Sequence, residues 1–244
     1  EAGGLGVVFF FVLSGFLITY LLFKERQSTG SIGIKAFYMR RIFRIWPLYY
    51  FVVLLAFLVL RHVDYVYVNY TVHIFETPDD IWKSFLLYLV MLPNLALAMF
   101  RTMPHVGQAW SIGVEEQFYL IWPWLIRKAR LPLRMILVFI AALLVLKVLV
   151  FLFSSGWGRS GEVIRAFVAM SKLESMAIGG VGAWLLFTER NSILNLLYRP
   201  VTQVLAYLAI PALIYLTPRM VQDVVYLAYS VVFLVIILNV SSNP

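Results

Sequence analysis

Gly6-Val7-Val8-Phe9-Phe10-Phe11-Val12-Leu13-Ser14-Gly15-Phe16-Leu17-Ile18-Thr19 is the centre of a run, residues 4–23, without a single charged side chain. A helix needs about 20 apolar residues to cross a bilayer core, and this run has that length. Comparable runs follow at about 45–60, 81–100, 110–126, 135–154, 166–187, 200–217 and 221–239. Apolar residues fill 62% of the 244 positions and charged ones only 13%, against about 25% charged in an ordinary soluble domain. With a mean hydropathy of +0.88, this composition rules out a disordered protein, a nucleic-acid module and almost any water-soluble fold. The expected fold class is all-α: a polytopic membrane helical bundle with about seven to eight transmembrane helices.

The net charge of +8 reads as cytoplasmic loops rich in Lys and Arg, not as nucleic-acid binding. There is no cysteine, which excludes disulfides and thiolate metal sites, and His62, His73 and His105 share no metal-ligand spacing. The start, Glu1-Ala2-Gly3-Gly4, enters the first apolar run with no charged region before it in this sequence, so the run is expected to be a membrane helix and not a signal peptide. The chain is expected to be one membrane-embedded domain over 1–244, truncated at both ends.

Basic residues set the orientation. Lys24, Arg26, Lys35, Arg40, Arg41 and Arg44 crowd the segment 24–44, and Arg127, Lys128, Arg130 and Arg134 the segment 127–134. Both are expected to be cytoplasmic, which requires an even number of crossings between them. Three apolar runs lie there, so one does not cross. The run at 81–100, broken by Pro93-Asn94 and followed by Pro104, is expected to be re-entrant or peripheral, because irregular backbone at membrane depth needs protein or water around it. The longest polar gap, 61–80, holds Asp64, His73, Glu76, Asp79 and Asp80.

Ionisable groups inside apolar runs are costly and mark candidate sites. Glu115 and Glu116 stand in Trp110-Ser111-Ile112-Gly113-Val114-Glu115-Glu116-Gln117-Phe118-Tyr119-Leu120. On a helix Ser111, Glu115 and Tyr119 share one stripe, and Glu116 points about 100° away. Two adjacent carboxylates at a membrane boundary repel each other and are partly desolvated, a setting suited to proton transfer near neutral pH; the plainer alternative is a cap or an ion pair to a nearby Arg. Arg40, Arg41 and Arg44 lie within about one turn, and three guanidinium forks there can hold phosphates. Basic residues at a helix entry also anchor to lipid headgroups, and the spacing alone does not separate the two. Lys172 and Glu174 are two apart and face different sides of a helix, while Ser175, Gly179 and Ala183 form a small-xxx-small packing face. Lys147 is isolated among apolar neighbours and can snorkel.

Four stretches give the chain a resemblance to the acyltransferase-3 family of integral membrane acyltransferases. They are the Gly-Val-x-x-Phe-Phe-x-x-Ser-Gly-Phe-type helix at 6–18 and the Tyr-x-Arg-Arg-x-x-Arg-Ile-x-Pro-x-Tyr-Tyr-type entry at 38–50. The others are Trp110-Ser111 with Glu115-Glu116-Gln117-Phe118-Tyr119-Leu120, and Lys172-x-Glu174 ahead of Gly179. The resemblance implies an enzyme of the bacterial-type cytoplasmic (inner) membrane, multi-pass. It would move an acyl group, commonly acetyl, from cytoplasmic acyl-CoA to a hydroxyl of an extracytoplasmic carbohydrate or cell-envelope acceptor. Acetyl-CoA is then a donor substrate, with no bound cofactor and no metal. The expected partners are the lipid bilayer, acyl-CoA and an envelope glycan. Glu115 and Glu116 are the catalytic candidates; Arg40, Arg41, Arg44, Ser111, Tyr119, Lys172 and Glu174 are the substrate-binding ones. The absence of Cys favours direct transfer over an acyl-enzyme.

Two departures from the family pattern stand out. The family's Lys/Arg-x10-His, whose His is the favoured base, is absent: the positions eleven before the three histidines are Phe51, His62 and Asn94. The chain is therefore expected to begin after the family's first helix. Lys172 and Glu174 stand where the family usually has Arg and Asp, and Lys cannot supply a bidentate fork. The rival reading is a multi-helix transporter or acyl-group conduit, since broken helices and midplane charges also build carriers.

Overall fold

A computed structural model describes residues 2–60, 78–100, 106–216 and 222–242. Among them the chain forms helices α1 (Ala2–Thr29), α2 (Ile34–Leu54), α3 (Pro78–Leu89), α4 (Pro93–Met99), α5 (Ala109–Lys128) and α6 (Pro132–Phe153). These are followed by α7 (Gly158–Met170), α8 (Leu173–Phe187), α9 (Asn191–Leu197), α10 (Pro200–Leu216) and α11 (Gln222–Ser242). A π-helical turn, Leu55–Val59, extends α2, and a 3-10 turn, Ser154–Trp157, separates α6 from α7. No strand occurs among the described residues, as the all-α expectation requires. The polar gap over 61–77 and the three histidines lie outside the described residues.

Four described stretches are long and apolar enough to cross a membrane: Gly3–Thr29, Ile34–Val59, Pro132–Phe187 and Asp223–Ser241. The pair Asn191–Leu197 and Pro200–Tyr215, bent by 59°, makes a fifth if it is one broken span. This is fewer than the eight apolar runs of the sequence and the seven to eight transmembrane helices expected from them, for three physical reasons, the last of which the Pro93-Asn94 break already indicates. The 56-residue stretch Pro132–Phe187 contains α6, α7 and α8 together. The run at 110–126 carries Glu115-Glu116-Gln117 in the middle of α5, which lowers its hydropathy. The run at 81–100 is two short helices of 12 and 7 residues, about 18 and 10 Å long, neither able to span. Met91 between them has a φ of 59°, a left-handed turn rare for a side chain with a Cβ, and Pro93 starts the second helix.

The described residues cluster into two compact units. One comprises 1–32, 121–146 and 172–244; the other comprises 33–120 and 147–171.

The first unit is organised around α1, α8 and α11. A Cβ on Gly15 would sit 1.9 Å from the Met176 carbonyl oxygen, and one on Gly179 would sit 2.0 Å from that of Val12. Helix backbones are thus in direct contact, as the small-xxx-small face predicts. Val8, Val12, Phe16, Ala183, Phe233 and Leu238 fill the core beside them. Two pairs of buried polar groups link helices of this unit: Ser230 Oγ donates to Ser175 Oγ at 2.9 Å, and the Trp122 indole donates to Thr19 Oγ1 at 2.8 Å. Arg26 closes the end of α5 by donating to the carbonyls of Ile126 and Ala129, at 3.3 and 3.0 Å, two of the orphan acceptors every helix C-terminus leaves.

The second unit holds α2, α3, α4, α7 and the first half of α5. Its core is aromatic: Tyr49 and Phe57 from α2 and its extension meet Phe85 and Tyr88 of α3, with Phe57 5.1 Å from Phe85 and 5.2 Å from Tyr88. Two phenols fasten α2 to the end of α3, Tyr49 donating to the Tyr88 carbonyl at 2.8 Å and Tyr50 to that of Leu89 at 2.9 Å.

Candidate functional site

The first half of α5 presents three chemically different faces within the second unit. Gly113 and Gln117, four apart, meet the Met91–Pro93 turn. A Cβ on Gly113 would lie 2.5 Å from the Pro93 ring, so glycine is what allows the proline to seat against the helix. Glu115 and Tyr119, also four apart, form the second face, where the Tyr119 hydroxyl donates to Glu115 Oε1. Glu116 forms the third, turned toward α2.

Glu115 is buried at 6% exposure and Tyr119 at 3%. The Tyr119 ring is covered by α2: its centroid is 6.1 Å from that of Phe37, edge to face, and the Arg41 guanidinium lies 5.4 Å from it and 5.8 Å from the Phe37 ring. Tyr38 donates to the Leu120 carbonyl at 2.7 Å and holds the same two helices together. The stripe predicted for Ser111, Glu115 and Tyr119 exists, but the Ser111 hydroxyl turns back to its own chain and donates to the Gln108 carbonyl at 3.0 Å.

Glu116 is held by one oxygen. The Trp46 indole donates to its Oε2 at 3.1 Å, and Trp46 is itself braced edge to face by Tyr50 at 5.8 Å. The other oxygen, Oε1, is buried and has no hydrogen-bond partner among the described residues. The positive charge of Arg41 attracts this carboxylate, and the negative charge of Glu115 repels it. A buried carboxylate oxygen without a donor is costly, and such an exception marks a place where a substrate group, a water or another residue completes the set.

The structure therefore brings Arg41, Glu115, Glu116 and Tyr119 together. Arg40 and Arg44 are both exposed residues of α2, a turn apart. Lys172 and Glu174 belong to the first unit, both buried at 8% and 2%, and the Lys172 ammonium lies 3.1 Å from the centre of the Tyr226 ring. Among the described residues no three His, Asp or Glu side chains form a group that could hold a metal ion.

Reading the motifs for charge alone missed Trp46, Tyr50, Asn94 and Gln117. Trp46, Tyr50 and Gln117 stood inside the two quoted motifs and Asn94 in the break after Pro93. Their signal was a polar tip on an apolar helix, which needs a partner wherever it is buried.

Long apolar helices and a pair of adjacent carboxylates, one buried and one half-buried, flanked by arginine and aromatic donors define a multi-pass membrane protein with a polar site built on α2 and α5. The chain belongs to the acyltransferase-3 family, whose model, described as an acyltransferase domain, matches residues 1–243. A Staphylococcus aureus (strain COL) protein named by inference as an O-acetyltransferase is 36% identical over 124 residues, covering 50% of this chain and 20% of the relative. The peptidoglycan O-acetyltransferase OatA of Listeria monocytogenes (serovar 1/2a) is 32% identical over 129 residues, again 50% of this chain and 20% of the relative. An uncharacterised Haemophilus influenzae protein is 32% identical over 121 residues, 47% of this chain and 45% of its own. These matches span about a fifth of the length of the first two relatives and under half of the third. No solved structure matches the chain.

Proposed function

We propose that this chain is the membrane part of an O-acyltransferase that moves an acetyl group from acetyl-CoA to a hydroxyl of a carbohydrate acceptor in the cell envelope. The observation that carries the reading is Glu116, a half-buried carboxylate with one oxygen fixed by Trp46 and the other, itself buried, unpartnered among the described residues, in a chain of an acyltransferase family. The name of the Listeria relative supports an O-acetyl product and an envelope glycan as acceptor.

In this mechanism the acceptor O–H bond breaks as its oxygen bonds to the thioester carbonyl carbon. The C–S bond then breaks, the leaving sulfur takes up the proton that left the acceptor hydroxyl, and CoA departs as its thiol. Glu116 Oε1 accepts a hydrogen bond from the acceptor hydroxyl or from the base that deprotonates it, and so orients whichever group it touches. Glu115, tied to Tyr119 under Arg41, shapes the field around it. Arg40 and Arg44 bind the CoA phosphates from the exposed side of α2 through charge-assisted bonds, on the cytoplasmic side of the inner membrane.

The full-length protein in sealed vesicles, given acetyl-CoA with a labelled acetyl group on the side of the 24–44 segment, should place label on added peptidoglycan fragments or other glycan hydroxyls. Loss of CoA binding in the Arg40→Ala/Arg44→Ala variant, with transfer lost in parallel, is the expected pattern. Uptake or passage of solute without any covalent transfer of label would overturn the reading in favour of a carrier.

A further inference from the structure

The face of α5 opposite Glu115 carries a buried network that the mechanism above does not use. Asn94, fully buried at the start of α4, and Gln117, next to Glu116, pair amide to amide. Gln117 Nε2 donates to Asn94 Oδ1 at 2.8 Å and Asn94 Nδ2 donates to Gln117 Oε1 at 3.3 Å. Both donors also reach outward: Gln117 Nε2 to the Met91 carbonyl at 3.4 Å and Asn94 Nδ2 to Ser171 Oγ at 3.3 Å. Ser171 in turn donates to the Phe167 carbonyl of α7 at 2.9 Å. Four pieces of chain, the Met91 turn, α4, α5 and the end of α7, therefore close on one pair of amides.

The arrangement looks costly for a mere fastening. It requires a left-handed backbone at Met91, with a φ of 59°, and a glycine at 113 to admit Pro93. A backbone held in a sparsely populated region persists only where its surroundings over-determine it. What these features share is the rotational setting of α5. Gly113 and Gln117 index the helix against the turn, and Glu116, one residue before Gln117, is thereby aimed at Trp46. A helix free to rotate by a few tens of degrees would break the 3.1 Å bond from the Trp46 indole and swing the unpartnered oxygen away.

We infer that Asn94 and Gln117 are positioning residues: their reciprocal amide pair sets the rotation of α5 and so the aim of the Glu116 carboxylate. The inference rests on the acyltransferase reading for its kinetic consequence, but not for its geometric one.

The test uses the full-length protein in proteoliposomes with the near-isosteric variants Asn94→Leu, Gln117→Met and both together. Each single variant leaves one buried amide without its mate. The double variant replaces both by apolar groups of similar shape, which is close to neutral for folding, so it separates positioning from stability. The expected result is kcat for acetyl transfer lowered about tenfold or more in all three, KM for acetyl-CoA within about twofold, and thermal stability of the double near that of the parent. Alongside it, 5-fluorotryptophan is incorporated and the Trp46 fluorine resonance, assigned by its loss in Trp46→Phe, is compared; it should move in all three variants because its indole loses Glu116. Recovery of parental kcat in the double variant, or an unmoved Trp46 resonance, would overturn the inference. If the parent transfers no acetyl group, the acyltransferase reading fails and the resonance alone decides the positioning role.

Discussion

Replacing Trp46 with Phe removes one bond and little else. The ring stays large enough to keep its edge-to-face contact with Tyr50, 5.8 Å away, while the indole N–H that donates to Glu116 Oε2 at 3.1 Å disappears. A hydrogen bond to a charged group contributes about 1.5–3 kcal/mol. Glu116 Oε1 already lacks a partner among the described residues, so the variant leaves the carboxylate with no fixed oxygen. If the aim of Glu116 is what the active geometry uses, kcat/KM should fall by about 10- to 100-fold, since each 1.4 kcal/mol is tenfold. The assay is transfer of labelled acetyl from acetyl-CoA by the full-length protein in proteoliposomes, run as a double-mutant cycle with Glu116→Gln. The Trp46→Phe change should cost little further in the Glu116→Gln background, because the carboxylate whose aim the indole fixes is already gone. Full parental kcat/KM in Trp46→Phe, or losses that simply add in the double variant, would refute the reasoning.

Other outcomes follow from the same geometry. Gly179→Ala should destabilise the folded protein by about 1–3 kcal/mol, because its Cβ would lie 2.0 Å from the Val12 carbonyl, whereas Gly6→Ala, with nothing within 4 Å, should melt at the parental temperature in detergent. Arg40→Ala and Arg44→Ala should each raise KM for acetyl-CoA with kcat within about twofold, an effect that shrinks as salt is added. Arg41→Lys, by contrast, should lower kcat, because an ammonium does not reproduce a planar guanidinium between the Tyr119 and Phe37 rings. Tyr226→Leu should lower thermal stability by about 2 kcal/mol, the scale of a desolvated cation–π contact, since the buried Lys172 ammonium sits 3.1 Å from that ring.

The sequence was most legible where one physical demand dominated. Apolar runs such as 4–23 could only be helices, and the small residues Ser175, Gly179 and Ala183 at four-residue spacing could only be a close-packed face. The i, i+4 relation of Glu115 and Tyr119 was likewise readable and is a hydrogen bond in the structure. Crossing number was less so, because hydropathy alone does not show where an apolar run breaks: at 81–100 the break was readable only from Pro93-Asn94, and the run is two short helices around Met91. Partners across helices were not readable at all. Nothing local in Trp46 says that its indole meets Glu116, seventy residues on. Nothing local in Asn94 says that it mates with Gln117. The charge cluster at 40–44 looked uniform in sequence, yet only Arg41 is folded over the Tyr119 ring.

The most direct measurement compares Glu116→Gln with Glu115→Gln in the full-length protein, reading kcat and KM for acetyl-CoA separately in sealed proteoliposomes. In the proposed mechanism Glu116 touches the reacting hydroxyl or its base, so Glu116→Gln should lower kcat by at least about 100-fold, the scale of a lost acid–base or orienting partner, with KM little changed. Glu115→Gln, whose carboxylate already holds the Tyr119 hydroxyl, should cost less. Parental kcat in Glu116→Gln, in protein that remains folded, would contradict the account at its centre.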